Sequence, residues 1–232
     1  LYTNMSALHD RLTSLLSARA NRQTLRSLSP SKIISTTSLP LVDFSSNDYL
    51  SFAKSSLLRN KLLTSLNEEG GAGLYGPPSS RLLDGNTTSH LQVEERLARF
   101  FGGKSTAVGL LFNSGFDANV SLWTTLPAPN DYILYDELIH ASTHDGMRAS
   151  RTRVENRRSF KHNSVDDLER VLRQVKEEEG VKEGIKSVWI TTETLFSMDG
   201  DLAPVKEMVE RAEQILERGN GHWVIDEVGE TR

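Results

Sequence analysis

Two periodicities alternate along the second half of the chain and predict a layered fold. Apolar residues recur at helical spacing in VDDLERVLRQVKEEEG, where Leu168, Leu172 and Val175 share one side, and in DLAPVKEMVERAEQILERG. Segments of strand length flank and separate these helices: STAVGLLF, DYILYD, SFKHN, KSVWITTETL and HWVID. Strands that alternate with helices of this length indicate a parallel sheet. We therefore predict an α/β fold with a mostly parallel sheet and helices on both faces.

The first half of the chain is patterned differently. Leucines at helical spacing in MSALHDRLTSLLSARANRQTLRSL predict a helix from Met5 to about Leu28, and a linker rich in Ser, Thr and Pro follows it. LVDFSSNDYLSFA is typical of a short strand that runs into a turn, whereas SSLLRNKLLTSLNEEG and LQVEERLARFFG are typical of helices. We assign residues 1–43 to an N-terminal helical arm with its linker and residues 44–232 to a partial large domain.

A long loop, GAGLYGPPSSRLLDGNTTSH, lies between two of these helices. Loops of this length in a compact chain are usually functional or disordered, and we favour a functional one. Its GAGLYG segment satisfies the dinucleotide pattern G-x-G-x-x-G, but that fingerprint requires a preceding strand and a helix opened by the glycines. Here a helix precedes, and Pro77 and Pro78 follow. This context excludes a Rossmann-type nucleotide site.

Composition narrows the classes of function. The chain has 232 residues, 37% hydrophobic and 25% charged, which fits a soluble globular protein of one large or two small domains. A net charge of -4 gives no general basic field, so we expect neither nucleic acid nor a membrane surface as a partner. The absence of cysteine excludes disulfides, zinc–thiolate sites and thiol catalysis, and we predict no metal site. We expect a cytoplasmic protein, with an organelle left open.

One strand-to-helix turn is a candidate anion site. Ligands of parallel α/β sheets bind outside the carboxyl ends of the strands. In LLFNSGFDANVSLW the chain passes into a helix at Gly115, so the free amides of Gly115, Phe116 and Asp117 would face a ligand above the sheet. Every strand-to-helix turn exposes such amides. The spacing alone therefore favours an ordinary turn over a binding site.

The last predicted strand ends in two acids, Asp226 and Glu227. An acidic residue in that place serves as a helix cap, as a solvated strand end or as the partner of a ligand cation. The position alone does not distinguish the three.

Seven blocks of the sequence resemble the α-oxoamine synthases in order and approximate spacing, from about Phe44 to Glu227. They are FSSNDYLSFA, SSRLLDGNTTSHLQVEERLARFFG, LLFNSGFDANV, LIHAST, FKHNSVDDLERVL, TETLFSMDGDLAP and VIDE. The resemblance implies pyridoxal-phosphate enzymes of fold type I, which condense an amino acid with an acyl-CoA and release carbon dioxide and CoA. SSRLLDGN with SGFDAN is most similar to the biotin-pathway subfamily that uses alanine and pimeloyl-CoA. Glycine acetyltransferase and 5-aminolevulinate synthase are close alternatives.

The resemblance also implies a role for several residues. His140 in LIHAST matches the histidine whose ring stacks on the pyridine ring of the cofactor, although a cap at a strand end is the plain alternative. Asp226 matches the carboxylate paired with the pyridine nitrogen, and these two residues are the implied catalytic pair. Gly115 and Phe116 match backbone contacts to the phosphate. Ser197 in FSMDGD matches a serine near the cofactor, or is simply a turn residue.

Two further residues are candidates for substrate binding. Arg26 matches, loosely, an arginine that receives the distal carboxylate of the acyl chain, while a solvated helix face is its default interpretation. Asn47 matches an active-site asparagine, although an Asn-Asp pair also forms an ordinary Asx-turn. His90 stands at the start of a helix, where capping or packing is at least as good an explanation as catalysis. The implied partners are an acyl-CoA, a small amino acid and a second copy of the chain in a homodimer.

The end of the sequence departs from the family pattern. Gly229 stands where the family has a histidine, and the lysines present match no block that carries the Schiff-base lysine. We expect that lysine, with a further strand and the C-terminal domain, to lie outside this sequence. Three interpretations follow: part of a longer enzyme, a noncatalytic homologue like the partner subunit of serine palmitoyltransferase, or a truncated product. We favour the first, because the other cofactor-facing blocks are intact.

Overall fold

The computed structural model describes residues 5–26, 46–68, 76–102 and 107–227. The chain separates into two compact units, Leu1–Gly76 and Pro77–Arg232, and each is described by itself. The predicted arm that ends at residue 43 stays a prediction, because residues 27–45 lie outside the described part of the chain. Gly229 lies outside it as well.

The described residues of the first unit contain two helices, α1 (Met5–Asn21) and α2 (Ser56–Glu68), and a short 3-10 turn at Phe52–Lys54. α1 ends before the predicted boundary near Leu28, because Gln23 adopts a left-handed φ of 58° that a helix does not continue through. Residues 46–54 form turns, which agrees with the turn predicted at the end of LVDFSSNDYLSFA, while the strand predicted before it stays a prediction. Residues 41–45 of that segment lie outside the described residues.

The second unit is organised by a four-stranded sheet in the order β2-β1-β3-β4, and all three neighbouring pairs are parallel. The strands are β1 (Tyr132–Asp136), β2 (Arg157–Phe160), β3 (Val188–Glu193) and β4 (Gly221–Asp226). The helices are α3 (Thr88–Gly102), α4 (Gly115–Thr125), α5 (Ala141–Ala149), α6 (Val165–Lys176) and α7 (Val205–Ile215). Among the helices that the structure describes, none has the length and apolar character needed to span a membrane.

Helices cover both faces of this sheet. On one face, Leu172 of α6 and Met208 of α7 are fully buried in a cluster that includes Ile190 of β3. On the other face, Trp123 of α4 forms a second buried cluster with Met147 of α5 and the strand residue Ile133. Full burial of such side chains contributes about 1.5–3 kcal/mol each. The predicted fold class, a parallel sheet with helices on both faces, is confirmed.

Strand β2 lies earlier in the chain than predicted. We placed it in SFKHN, but it ends at Phe160 and residues 161–163 turn away from the sheet. Asn163 has a left-handed φ of 52°, and the His162 side chain is bonded to Asp136 at the end of β1. Asp136, which lies 26 positions earlier in the chain, thus holds His162 in the turn rather than in the strand ladder.

The prediction of a strand in STAVGLLF is wrong for the described part of this segment, because residues 107–112 lie outside the sheet. They run along α3 instead. The Leu111 amide donates to Glu94 Oε1 at 2.7 Å, and a Cβ added to Gly109 would lie 2.4 Å from the Glu94 carbonyl oxygen. An apolar run does not by itself specify the strand with which it pairs. Here the acceptor for the Leu111 amide belongs to α3.

Glu94 also binds Arg81 through both carboxylate oxygens, with Nη1–Oε1 2.5 Å and Nη2–Oε2 2.9 Å. This side chain therefore joins the loop before α3, α3 itself and the segment after it. The hydrogen bonds from Arg81 and from the Leu111 amide lower the pKa of Glu94 from 4.5 to about 2.

We expect Glu94→Gln to alter acid stability. A carboxyl with a lowered pKa in the folded state contributes stability that is present above pH 4.5 and lost as pH falls towards 2. The free energy of unfolding should therefore fall more steeply over that window in the original chain than in Glu94→Gln, as measured by denaturant titration at several pH values. Glu95→Gln is the matched control, because Glu95 is exposed and pairs only across the surface with Arg99. Parallel curves for Glu94→Gln and the original chain would contradict the expectation.

A close approach of α4 and α5 depends on Gly146. A Cβ built on Gly146 would lie 2.8 Å from the Cβ of Trp123 and 3.1 Å from the Asn119 carbonyl oxygen, and neither atom belongs to a flexible end. We expect Gly146→Ala to lower the free energy of unfolding by about 1–3 kcal/mol, the usual cost of overpacking. Gly76→Ala is the control, because a Cβ there meets nothing within 4 Å. Equal stabilities of the two variants would show that the helices separate without cost.

Candidate functional site

The first turn of α4 presents backbone amides at one end of the site. Ser114 caps the helix, and its hydroxyl accepts a hydrogen bond from the Asp117 amide at 3.0 Å. The first intrahelical bond is donated by Ala118 to the Ser114 carbonyl. The amides of Gly115 and Phe116 precede that bond, as the anion cradle requires. The prediction that the Asp117 amide belongs to the cradle is wrong, because the Ser114 cap already engages that amide.

His140 is fixed in place at the start of α5. It is the cap of that helix, and its Nδ1 accepts a hydrogen bond from the Ser142 amide at 3.2 Å. The capping role that we gave as the plain alternative is therefore real, but it leaves the ring exposed. The ring lies edge to face with Phe116, with centroids 6.4 Å apart. A fixed histidine with an exposed ring is suited to contact a flat ligand.

A continuous chain of hydrogen bonds joins Asp226 to His140. The Asn119 side-chain amide donates to Asp226 Oδ2 at 2.8 Å and to Ser142 Oγ at 2.9 Å. The Ser142 hydroxyl, 2.7 Å from His140 Nδ1, then donates to that nitrogen. Because Nδ1 accepts from both the amide and the hydroxyl of Ser142, the network assigns the ring proton of neutral His140 to Nε2.

Two carboxylates end adjacent strands in the same register. Glu193 of β3 pairs with Asp226 of β4 in the parallel ladder, which places both side chains on one side of the sheet. Glu193 is buried. Burial first, and then the charge of Asp226, raise the pKa of Glu193, while a hydrogen bond from the His140 amide opposes the rise. Two acids so placed favour a cation beside them.

Of the three remaining predicted residues, one belongs to the second unit and two belong to the first. Ser197 is exposed on the turn after β3. Arg26 and Asn47 belong to the first unit, and both are exposed; the turn near Asn47 is bonded through Asp48, which accepts from the Ala53 amide. The structure thus brings together His140, Asp226 and the first turn of α4, and the roles of Ser197, Arg26 and Asn47 stay predictions.

His90 has a structural role in the described chain. Its Nδ1 is 2.8 Å from the Thr87 hydroxyl at the start of α3. This contact agrees with the capping alternative and does not connect His90 to the cluster.

Sequence reasoning missed Asn119 and Ser142, which connect the predicted residues. Both carried a usable signal. Asn119 lies one helical turn after Gly115 and so shares its face of α4, and Ser142 lies within the LIHAST block two residues after His140. An asparagine in a helix and a serine near a cap have common structural explanations, so the sequence pattern alone does not single out either residue.

The arrangement offers three kinds of contact at the carboxyl edge of the sheet. The ends of β3 and β4 favour a cation, the α4 amides favour an anion, and the His140 ring offers a flat surface. A ligand that combines a cationic aromatic ring with a phosphate matches all three. No lysine belongs to the described residues of this cluster.

Comparison with known proteins agrees with this chemistry. The family model "Aminotransferase class I and II" matches residues 40–228, which is more than half of the chain. The 8-amino-7-oxononanoate synthase of Emericella nidulans is 44% identical over 191 residues, covering 82% of this chain and 45% of that protein. The aminoacyl transferase sphA of Byssochlamys spectabilis is 38% identical over 193 residues, covering 82% and 39%. The chain thus spans less than half the length of these curated relatives.

Solved structures give the same result. A variant of serine palmitoyltransferase from S. paucimobilis with a bound PLP–myriocin aldimine is 30% identical, with a TM-score of 0.58 over 71% of this chain and 38% of that one. The serine palmitoyltransferase of Sphingomonas wittichii is 27% identical, with a TM-score of 0.59 over 74% and 38%. The predicted family and its cofactor, pyridoxal phosphate, are confirmed. The chain belongs to the aminotransferase class I and II family, in which the α-oxoamine synthases are the members that it resembles.

Proposed function

We propose that the protein carrying this chain is a pyridoxal-phosphate-dependent acyltransferase. It joins the acyl carbon of an acyl-CoA to the α-carbon of a small amino acid, with release of CoA and carbon dioxide. The form that we favour is 8-amino-7-oxononanoate synthesis from alanine and pimeloyl-CoA, in biotin synthesis, by a homodimer. The observation that carries the proposal is the hydrogen-bonded chain from Asp226 through Asn119 and Ser142 to His140.

The residues present fit the cofactor. Asp226, next to the buried Glu193, suits a protonated pyridine nitrogen, because opposite charges at short range favour the charged form. The amides of Gly115 and Phe116 suit the phosphate, and the exposed His140 ring suits the flat pyridine. When bound, pyridoxal phosphate supplies an electron sink for the negative charge that develops at the amino-acid α-carbon.

The chain's own side chains orient one another and hold protons around the bound cofactor. Asn119 donates to one oxygen of Asp226 and so restrains rotation of the carboxylate, which would keep a pyridine nitrogen beside it protonated. Ser142 holds His140 in the tautomer with a proton on Nε2, and this places one donor at the outer side of the ring. Glu193, with its raised pKa, holds a proton more readily than an ordinary glutamate, which reduces its repulsion of Asp226.

The direct test is a condensation assay with pyridoxal phosphate and the full-length protein that carries this chain. Release of free CoA thiol and of carbon dioxide is measured with alanine and pimeloyl-CoA, glycine and acetyl-CoA, glycine and succinyl-CoA, and serine and palmitoyl-CoA. We expect the first pair to give the highest kcat/KM. A preference for another pair would reassign the substrates within the same reaction class. Absence of both thiol release and cofactor binding would favour the noncatalytic homologue instead.

Asp226→Asn should reduce kcat by about 10²–10³-fold, the usual effect of removing one electrostatic stabiliser of a developing charge. The amide keeps the shape and one hydrogen bond to Asn119 but lacks the negative charge. Glu227→Gln is the matched control, because Glu227 is the next residue along the chain and is exposed. Stopped-flow absorbance of the bound cofactor checks the same change without turnover. An Asp226→Asn variant as fast as the control would contradict the role.

Variants of Asn119 should separate the effect of orienting Asp226 from the effect of charge beside it. Asn119→Ala removes the donor to Asp226 and Ser142, and we expect cofactor affinity to fall about 5- to 30-fold, as for one lost hydrogen bond to a charged group. Asn119→Asp adds a like charge beside Asp226 and should weaken binding further. Equilibrium titration of cofactor fluorescence gives both values. Thr125→Ala, at the exposed end of the same helix, is the control. Equal affinity in all three variants would overturn the role of Asn119.

A further inference from the structure

A second group of polar side chains lies at the same carboxyl edge of the sheet, and the proposed chemistry does not use it. Asp136 ends β1 and is fully buried. The His162 ring lies between this carboxylate and Asp201. Its Nδ1 is 2.9 Å from Asp136 Oδ1, and its Nε2 is 2.8 Å from Asp201 Oδ2. Both ring nitrogens therefore face carboxylate oxygens.

This geometry decides the protonation state of His162. An ionised carboxylate only accepts hydrogen bonds, and a neutral imidazole carries a single N–H. One of the two contacts would then place a nitrogen lone pair against an oxygen lone pair. The nearby Asn163 Nδ2 carries two N–H groups and lies 3.2 Å from His162 Nε2 and 2.8 Å from Asp201 Oδ2. A donor there does not remove the direct contact of 2.8 Å between Nε2 and Asp201 Oδ2, which sets lone pair against lone pair when Nε2 has no proton. Only the imidazolium donates to both carboxylates.

Charged groups from the neighbouring elements add to the same field. Glu137, after β1, accepts a hydrogen bond from the His162 amide at 3.0 Å. On α6, Asp167 accepts from the Lys161 amide at 2.9 Å and is paired with Arg170 at 2.7 Å. Glu137 is thus an additional acid that faces His162, whereas the charge of Asp167 is largely compensated by Arg170 and Lys161.

His162 contacts both arms of the turn that follows β3. Within this turn the Phe196 amide donates to the Asp201 carbonyl at 3.0 Å, and the Gly200 amide donates to the Phe196 carbonyl at 2.8 Å. The His162 ring lies edge to face with Phe196, with centroids 4.4 Å apart, while its Nε2 reaches Asp201. Ser197 is exposed between these two anchors. The ring thus ties the turn to the end of β1.

We propose that His162, as an imidazolium, is a positioning residue that fixes the Ser197 turn at the carboxyl edge of the sheet and thereby makes the condensation sensitive to alkaline pH. The effect on catalysis rests on the proposed function. The effect on the turn does not, since it follows from the contacts of Asp136, Asp201 and Phe196 alone.

The direction of the pH dependence follows from the partners. Burial lowers the pKa of His162, but the hydrogen bonds to Asp136 and Asp201 and their charges outweigh it, so that the pKa is raised above the ordinary 6.5. A raised pKa in the folded state means that the stabilisation of the turn is fully present below pH 6.5. It is lost as pH rises through the pKa of folded His162.

The test on the chain alone uses NMR and hydrogen exchange. The ¹⁵N shifts of the His162 ring should show both nitrogens protonated at neutral pH. Protection factors of the Phe196 and Gly200 amides, corrected for intrinsic exchange, should fall on the alkaline side by up to about tenfold per pH unit, the limit for one linked proton. A His162 ring with one N–H at neutral pH, or amide protection that does not change with pH, overturns the proposal.

Asp201→Asn is the decisive variant. An asparagine side chain can donate to a neutral Nε2 or accept from a protonated one, so the turn stays bonded in both states of His162. The alkaline loss of amide protection, and the alkaline fall in kcat/KM, should disappear in Asp201→Asn. A purely structural role of Asp201 would instead lower kcat/KM about equally at every pH and keep the alkaline limb. That outcome overturns the proposal.

His162→Gln and a control complete the design. Glutamine has no titrating proton, so His162→Gln should show low protection of Phe196 and Gly200 at all pH values. His222→Gln is the control, because His222 contacts the neutral Ser187 hydroxyl at the opposite end of the sheet; it should keep the pH profile of the original chain. If the full-length protein that carries this chain shows no condensation, the proposed function fails, while the NMR and exchange results still decide the role of His162.

Discussion

A carboxylate buried at a strand end costs free energy unless donors or a positive charge meet it, and this constraint shapes the carboxyl edge of the sheet. Three of the four strands end in an acid: Asp136 on β1, Glu193 on β3 and Asp226 on β4. Each is accommodated differently. Asp136 is bonded to a histidine and two backbone amides, Asp226 accepts from the Asn119 amide, and Glu193 has a raised pKa.

The two sides of this edge therefore perform different tasks. On the β1 side, the positive partner belongs to the protein itself, because His162 satisfies Asp136 and Asp201. On the β3 and β4 side, Glu193 and Asp226 end adjacent strands in one register, and this pair of acids suits the cationic ring of the proposed cofactor. A carboxylate at a strand end thus contributes to structure on the β1 side and to the proposed cofactor site on the β3 and β4 side.

The sequence predicted the parts of this structure that depend on local pattern or on residue type. The periodicity of α6 and the apolar runs of β1, β3 and β4 identified the sheet, and the LIHAST and VIDE blocks identified His140 and Asp226. It did not predict that residues 107–112 run along α3, because pairing depends on a partner that an apolar run does not specify. It did not predict Asn119 either, because its importance comes from the approach of α4 to α5 at Gly146, a contact between distant helices.

The hydrogen bond between Asn119 and Asp226 joins residues that are 107 positions apart in the chain. In folding terms, it closes a long loop, so it forms only after the intervening strands have paired and β4 has docked beside β3. A partly folded chain that contains α4 and α5 already holds Ser142 and His140 but has no carboxylate for Asn119. Assembly of the site and completion of the described sheet are therefore one event, and binding of the cofactor reports that the last described strand has reached its place.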